Sequence, residues 1–276
     1  MIVYICDNPF PKNNYLMEGS LKKATVDRRE KILKLIAENG KVYVHELSDL
    51  FTVSEVTIRN DLDQLEKKNH LIRARGGALK LEKQVSLDFN LSEKHRLHSA
   101  EKLRIGKKAA SLINDSETII LDSGTTTAEI SKNLTNIKNI SVITNAINIV
   151  NILVQYPSIN VIMPGGYLRQ NSLSLVGPFA AKNLKTLYVD KAFIGVDGFD
   201  ADLGAYTPNI EEAYLNEIMI SIAKEVILVA DSSKFGRKSL TFICPVSSIN
   251  TIVTDDGLSE TNRKKLEDSG VRVIIA

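Results

Sequence analysis

Apolar residues in the first third of the chain recur at helical spacing. Ile32, Leu35 and Ile36 share one face of the segment "DRREKILKLIAEN", which Gly40 ends. A second segment with the same period, "VHELSDLF", follows after a short interval. The pattern predicts two short amphipathic helices that pack together.

A third helix is predicted directly after the turn "TVS". Ser54 is a suitable N-cap, and Ile58, Leu62 and Leu65 fall on one side of the helix at spacings of four and three residues. The next stretch, "NHLIRARGGALKL", has a glycine pair between two apolar runs and predicts a two-stranded hairpin.

After residue 116 the pattern changes to short apolar runs separated by helical stretches. Seven runs rich in Val and Ile show no alternation, as is typical of strands buried on both faces. They are "ETIILD", "ISVITN", "NVIMPG", "KAFIGVD", "VILVAD", "TIVTDD" and "VRVIIA". Helical segments such as "TTAEISKNL", "INIVNILVQY" and "NEIMISIAKE" lie between them. Strands alternating with helices predict an α/β domain with a mostly parallel sheet.

These patterns divide the chain into four parts. Residues 1–24 are predicted to be a disordered extension, and residues 25–81 form the helical and hairpin domain. Residues 82–98 are charged without a clear period and are predicted to be a linker that is partly helical. Residues 99–276 form the larger α/β domain, which opens on the helix "SAEKLRIGKKAASLI".

Composition and charge narrow the function classes. No run of 18 apolar residues occurs, so no membrane span is predicted and the cytoplasm is the expected location. The two cysteines, Cys6 and Cys244, form neither a disulfide framework nor a metal cluster, and neither a metal nor a cofactor is predicted. Residues 20–83 carry 14 Lys and Arg against 10 Asp and Glu, whereas residues 84–276 carry 20 against 21. The basic excess therefore lies in the first domain.

Two helices joined by a short turn form a helix-turn-helix, in which the second helix enters the major groove of DNA. With the apolar side of the third helix packed inward, its other side presents groups that read bases, because Arg pairs with guanine and Asn with adenine. The hairpin then forms a basic wing. The predicted DNA-binding residues are Ser54, Glu55, Val56, Thr57, Arg59, Asn60, Arg73 and Arg75.

Two alternatives to this interpretation remain open. A three-helix packing module with a solvated charged face would have the same apolar pattern. Arg59 alternatively has an intramolecular partner, such as Asp63 four residues later on the same helix, instead of DNA.

The first domain resembles the winged helix of the DeoR/GlpR-type bacterial repressors of sugar metabolism. The resemblance is carried by "VSxxTIRxDLxxLE" at Val53–Glu66 and by "RxxGGA" at Arg73–Ala78. Many members of that family have two arginines where this chain has Arg59 and Asn60, a departure that resembles the galactosamine and N-acetylgalactosamine branch. The resemblance implies a repressor that binds double-stranded operator DNA. A homo-oligomer, either a dimer or a tetramer, is expected because it would set two winged helices at a fixed spacing on a palindromic or repeated operator.

Polar groups follow five successive strands of the α/β domain, where ligands bind in open parallel sheets. The stretch "DSGTTT" offers backbone N–H groups, hydroxyls and a helix N-terminus, all of which suit a phosphate. A threonine-rich helix cap without a ligand is the alternative, and the glycine pair Gly165 and Gly166 alternatively serves a tight turn. Lys234 after a neighbouring strand favours the phosphate.

The resemblance to the DeoR-type repressors continues through "ILDSGTTTAEI", "MPGGYLR", "FIGVDGFD" and "VILVADSSKFG". It implies a sensor domain that is similar to ribose-5-phosphate isomerase and CoA-transferase folds and binds a phosphorylated sugar, here an amino-sugar or ketohexose phosphate. Together with Arg169, which follows the third strand, the expected effector-binding residues are Asp122, Ser123, Gly124, Thr125, Thr126, Thr127, Asn145, Gly166, Arg169, Asp197, Thr207 and Lys234.

The rival class is a sugar-phosphate isomerase-like enzyme with a fused DNA-binding domain. Asp197, Asp200, Glu211 and Glu212 are available as a general base. The glycine-rich lysine loop of the isomerases is missing, however, and Ala201 stands where they have a further acidic residue. A regulator without catalytic residues is therefore predicted.

Overall fold

The computed structural model describes residues 14–67, 70–74, 76–80 and 88–276. They fall into two compact units, Met1–Lys83 and Gln84–Ala276. Arg75 of the predicted DNA-binding set and most of the predicted N-terminal extension lie outside the described residues. Among the described residues, no helix is long and apolar enough to cross a membrane.

The described residues of the first unit form three helices and a three-stranded sheet. In chain order its elements are α1 (Asn14–Asn39), β1 (Lys41–Tyr43), α2 (Val44–Phe51), α3 (Glu55–Lys67), β2 (Leu71–Ala74) and β3 (Gly77–Lys80). The second and third predicted helices and the hairpin are present. Helix α1 begins at Asn14, within the predicted extension, rather than at Asp27.

A single apolar core holds this unit together. Ile32 and Ile36 of α1, Leu47 of α2, and Ile58 and Leu62 of α3 are all buried in it. The predicted inward face of the third helix is therefore confirmed.

Strand β1, which the apolar pattern did not predict, pairs with β3 and gives the sheet the order β1-β3-β2. Its approach to β3 explains one glycine of the hairpin. A Cβ atom on Gly77 would lie 2.0 Å from the carbonyl oxygen of Val42. Only glycine therefore fits there without moving the backbone.

The second unit is an α/β domain. Its helices are α4 (Leu91–Arg96), α5 (Ser99–Ala110), α6 (Thr125–Ser131), α7 (Ile147–Leu153), α8 (Pro178–Leu184), α9 (Ile210–Ser221) and α10 (Glu260–Asp268). Its strands are β4 (Thr118–Leu121), β5 (Ser141–Thr144), β6 (Asn160–Ile162), β7 (Tyr167–Arg169), β8 (Ser174–Val176), β9 (Val189–Gly195), β10 (Gly198–Asp200), β11 (Gly204–Thr207), β12 (Ala223–Val229), β13 (Thr241–Pro245), β14 (Thr251–Thr254) and β15 (Arg272–Ile275).

The seven predicted strands form one parallel sheet in the order β15-β14-β12-β9-β4-β5-β6. Apolar clusters cover both faces, which is why the strands read as continuous Val and Ile runs. The predicted parallel α/β fold is confirmed. The strand order reverses between β4 and β9, and that reversal places a crevice at their carboxyl ends.

Two smaller antiparallel sheets were not predicted. Strands β7 and β8 form a hairpin, and β10, β11 and β13 form a three-stranded sheet. The predicted helix "NEIMISIAKE" was placed too late in the chain, because α9 begins at Ile210 and "AKE" opens β12. Helices α8 and α10 were also missed.

Candidate functional site

The exposed face of α3 carries the residues expected to meet DNA. The Ser54 hydroxyl accepts a hydrogen bond from the Thr57 N–H at 3.2 Å, so Ser54 caps the helix as predicted. Val56 is 63% exposed, an unusual position for a branched apolar side chain. Arg59 and Asn60 are exposed as well. The helix therefore presents a preformed surface to solvent.

Ion pairs organise the charges around this face. Arg59 has an intramolecular partner, as the alternative proposed, but that partner is Glu55 on the same helix and not Asp63. Arg73 Nε instead pairs with Asp63 Oδ1 at 2.8 Å, and Arg73 Nη1 donates to the Gly77 carbonyl at 2.8 Å. The structure thus places Arg73 at the base of the wing with its guanidinium already bound inside the unit.

Asp61 is a structural residue of this unit that the sequence did not single out. Its side chain is buried and accepts from Arg28 Nε at 2.6 Å and from Arg29 Nε at 2.7 Å. It therefore ties α3 to α1 directly beneath the exposed face.

A cavity in the second unit lies at the carboxyl ends of β4, β9 and β12, where the strand order reverses. Its lining includes eight of the expected effector residues: Asp122, Ser123, Gly124, Thr125, Thr126, Asp197, Thr207 and Lys234. Glu212, considered above only as a general base, also lines it, and residues that the sequence did not single out complete it: Phe89, Leu91, Lys94, Lys102, Asn171, Ser172, Gly195, Val196 and Asn216.

The turn after β4 is fixed by Thr127. The Thr127 hydroxyl donates to the Asp122 carbonyl at 2.7 Å and accepts from the Gly124 N–H at 2.9 Å. Thr127 is fully buried and is part of the scaffold. Thr125 and Thr126 precede it and line the cavity. Within the described part of the chain, neither of their hydroxyls has a hydrogen-bond partner.

Like Thr127, the expected residues Asn145, Gly166 and Arg169 lie outside the cavity lining. Asn145 is buried and donates from Nδ2 to the Leu175 carbonyl at 3.1 Å. Gly166 has a φ of +119°, and a Cβ atom there would lie 2.4 Å from the Val176 carbonyl oxygen. Its role is the turn and the close packing against β8, the alternative left open for the glycine pair.

Arg169 also lies outside the lining, in a buried ion cluster. Its Nη1 donates to Glu212 Oε1 at 2.9 Å and to Ser172 Oγ at 2.9 Å, and its Nη2 pairs with Asp88. Arg169 therefore binds two carboxylates of its own chain.

Lysines and carboxylates face each other in the cavity. Lys94 Nζ lies 2.8 Å from Asp197 Oδ1, and Lys234 Nζ lies 3.9 Å from the same oxygen. Burial opposes ionisation of Asp197, but Lys94 and Lys234 hold its pKa below the ordinary value. Burial likewise opposes the charge on Lys94, but the pair with Asp197 keeps its pKa above the ordinary value.

Two groups in the cavity titrate near neutral pH. Burial raises the pKa of Asp122 to about 7, although the Gly195 N–H donates to its carboxylate at 2.8 Å. Burial, followed by the nearby charge of Lys234, lowers the pKa of Lys102 to about 8. Lys102 Nζ donates to the carbonyls of Lys94 and Leu97, at 2.7 Å for Leu97. The net charge of the cavity therefore changes between pH 7 and pH 8.

Comparison with known families identifies both units. A family model described as the DeoR C terminal sensor domain matches residues 97–256. A second, described as the DeoR-like helix-turn-helix domain, matches residues 28–84. The chain belongs to the DeoR family. The resemblance seen in the sequence motifs is thereby confirmed.

Curated relatives agree with this family. The chain is 39% identical to a protein of Escherichia coli O157:H7 assigned as an aga operon transcriptional repressor, over 91% of this chain and 94% of that protein. It is 33% identical to the lactose phosphotransferase system repressor of Staphylococcus epidermidis, over 90% of this chain and 98% of that protein. The DeoR-family chain is therefore a transcriptional repressor, and the prediction of a regulator rather than an enzyme is confirmed.

Among solved structures, the chain is similar to ribose 5-phosphate isomerase A of Methanocaldococcus jannaschii. The two share 21% sequence identity with a TM-score of 0.37, over 49% of this chain and 53% of that chain. A likeness this distant does not indicate function.

Proposed function

We propose that this DeoR-family repressor controls a carbohydrate-utilisation operon and is released from its operator by a phosphorylated sugar that binds in the cavity. Residues 25–81 bind the DNA and residues 99–276 bind the sugar. The observation that carries the proposal is the cavity itself. It combines the Thr125 and Thr126 hydroxyls with three lysine side chains at the switch point of the sheet.

The DNA side of the proposal rests on the exposed face of α3. Arg59 and Asn60 are solvent-accessible side chains of the types that fork onto guanine and adenine in the major groove. The Glu55 partner of Arg59 is itself 45% exposed, so water screens the pair and Arg59 exchanges it for a base at little cost. Ser54 and the N-terminus of α3 suit a backbone phosphate.

The effector side rests on how charge is divided in the cavity. Lys94, Lys102 and Lys234 supply positive charge beside the threonine hydroxyls, which suits a phosphate. Asp197 and Glu212 lie in the same lining, where carboxylates accept hydrogen bonds from sugar hydroxyls. A phosphorylated sugar carries a phosphate for the lysines and threonines and hydroxyl groups for the carboxylates, so it suits both sets of side chains.

An amino-sugar or ketohexose phosphate is the effector class that we favour. Support comes from the relative assigned as an aga operon repressor, at 39% identity. The sequence Arg59-Asn60, which resembles the same branch, adds to it. A cytoplasmic homo-oligomer, a dimer or a tetramer, would set two winged helices at a fixed spacing on a palindromic or repeated operator.

A thermal-shift screen followed by operator binding tests this function. The screen uses N-acetylgalactosamine 6-phosphate, galactosamine 6-phosphate and tagatose phosphates on the full-length protein, because a ligand bound only by the folded state raises its melting temperature. We expect at least one of these compounds to stabilise the protein and to weaken its binding to promoter DNA. A protein that binds operator DNA but responds to none of them would contradict the proposed effector class.

Replacing Thr125 and Thr126 together by valine tests the cavity. The double variant keeps shape and removes two hydroxyls, so we expect operator binding to persist and release by N-acetylgalactosamine 6-phosphate to be lost. Thr118→Val is the matched control, because Thr118 begins β4 at the opposite end of the strand from the cavity. Unchanged release in the double variant would show that the effector binds elsewhere.

A further inference from the structure

The cavity is small for the ligand proposed. Its volume is about 50 Å³, whereas small-molecule sites start at roughly 300 Å³. A sugar phosphate is therefore admitted only if part of the wall moves. Most of the wall belongs to the ends of the parallel sheet and to α6 and α9, which pack in the apolar cores.

One wall of the cavity is held by polar contacts instead of by apolar packing. Residues 88–98, called the strap, contribute Phe89, Leu91 and Lys94 to the lining. Helix α4 of the strap has no buried residue, so apolar packing contributes little to holding it in place. Polar contacts hold it instead: Lys94 pairs with Asp197, and the Leu91 N–H donates to the Asn171 carbonyl at 2.8 Å.

The buried ion cluster fixes the start of the strap. Arg169 bridges Asp88, the first residue of the strap, and Glu212, which lines the cavity. The Arg169 side chain is only 12% exposed, and that of Glu212 is 8% exposed. Asp88 also accepts from Asn171 Nδ2 at 3.3 Å. The cluster thus joins the cavity wall to the first residue of the strap.

We infer that the strap is the moving wall and that the Asp88–Arg169–Glu212 cluster couples cavity occupancy to it. This inference rests on the proposed function. An anion in the cavity competes with Asp197 for Lys94 and shifts Glu212, and Arg169 transmits the change to Asp88. Arg169 is accordingly a positioning residue and not an effector contact, which explains its place outside the lining.

Asp88→Asn tests the coupling. The substitution keeps the shape of the side chain and removes the charge that Arg169 holds. In the wild type we expect saturating N-acetylgalactosamine 6-phosphate to weaken operator binding about tenfold or more, within the range typical of allosteric coupling. In the variant we expect that factor to fall below about threefold, while calorimetric affinity for the same compound and operator affinity without it stay within about threefold of the wild type.

Two further variants keep the result interpretable. Arg169→Lys retains the charge but not the fork that spans two carboxylates, and we expect the same loss of coupling. Glu117→Gln breaks a comparable buried pair with Lys191 at the start of β4 and should leave the coupling factor unchanged. Melting temperatures of all three show whether each variant is folded.

The outcomes separate the two proposals. A wild-type protein whose operator binding ignores the whole sugar-phosphate panel overturns the proposed function and this inference with it. A wild-type protein that responds while Asp88→Asn responds equally overturns the inference alone. Loss of coupling in Glu117→Gln as well would show that the effect is general to buried ion pairs, and would also overturn it.

Discussion

The DNA-binding unit and the sensing unit use charged side chains in contrasting ways. On α3 the Arg59–Glu55 pair is about half exposed, and its two members are four residues apart on one helix. Around the cavity, Lys94 and Asp197 are about one-fifth exposed and lie 103 positions apart in the chain. Exposed pairs contribute little and are screened by water, whereas removing one partner of a buried pair is costly. The contrast separates an exposed α3 face with locally paired charges from a cavity whose charged partners come from distant segments of the chain.

The largest expected effect concerns Asp61, whose charged side chain is deeply buried on α3. Asp61→Ala leaves Arg28 and Arg29 without their shared partner, so we expect the first unit to lose about 3 kcal/mol of stability. Hydrogen exchange of the α1 amides in the full chain measures this unit directly. Asp63→Ala is the control: Asp63 is half exposed, and its loss should cost about 1 kcal/mol or less. Equal losses in both variants would remove the distinction between buried and exposed pairs.

A smaller effect, confined to DNA binding, is expected at Arg59. Arg59→Ala should weaken operator binding by about 1–3 kcal/mol, because one forked base contact is lost, with little change on unrelated duplexes. Fluorescence anisotropy with both duplexes measures the difference. Glu55→Gln removes the partner and keeps Arg59, so operator affinity should be equal or higher. A uniform loss across all duplexes in Arg59→Ala would make Arg59 a backbone contact.

The smallest effect is a pH dependence that only the sensing unit should show. The pKa of Lys102 is about 8, so its positive charge is lost as pH rises past 8, and Asp122, with a pKa of about 7, gains negative charge over the same interval. Both changes oppose an anion. Calorimetric affinity for N-acetylgalactosamine 6-phosphate, which has no titrating amine, should therefore fall several-fold between about pH 7 and 9.

Lys102→Arg is the control for that titration, since arginine stays charged throughout. The affinity of the Lys102→Arg variant for N-acetylgalactosamine 6-phosphate should fall less steeply between the same two pH values. An affinity that rises with pH in the wild type would contradict the assignment of an anionic ligand to this cavity.

The pattern of apolar residues predicted the main architecture because a buried strand is encoded by residues that are neighbours in the sequence. The seven strands of the parallel sheet are each continuous apolar runs, and all seven were found. Strand β1 was missed because three residues with one buried side chain, Val42, carry too little periodicity. Strands β10 and β11 were missed because they are only three and four residues long, and β13, which pairs with β11, lies far along the chain.

The site was predictable only where it follows a strand. Asp122 and Lys234 each follow an apolar run, so the sheet order brings them together. Lys94 belongs to a charged stretch without a period, and only the folded path of the strap brings it to Asp197. Arg169 was expected to contact the effector because it follows a predicted strand. Its guanidinium instead pairs with two carboxylates from distant segments of the chain.

The central claim is that the cavity governs the reading surface. Fluorescence anisotropy of the full-length protein on a labelled duplex from its own promoter region, titrated with N-acetylgalactosamine 6-phosphate, tests that claim most directly. We expect tight binding without the compound and release of the wild-type protein on titration, with no release of the Thr125→Val/Thr126→Val variant. Failure of the wild type to bind the duplex at low salt, or equal release of both proteins, would contradict the account.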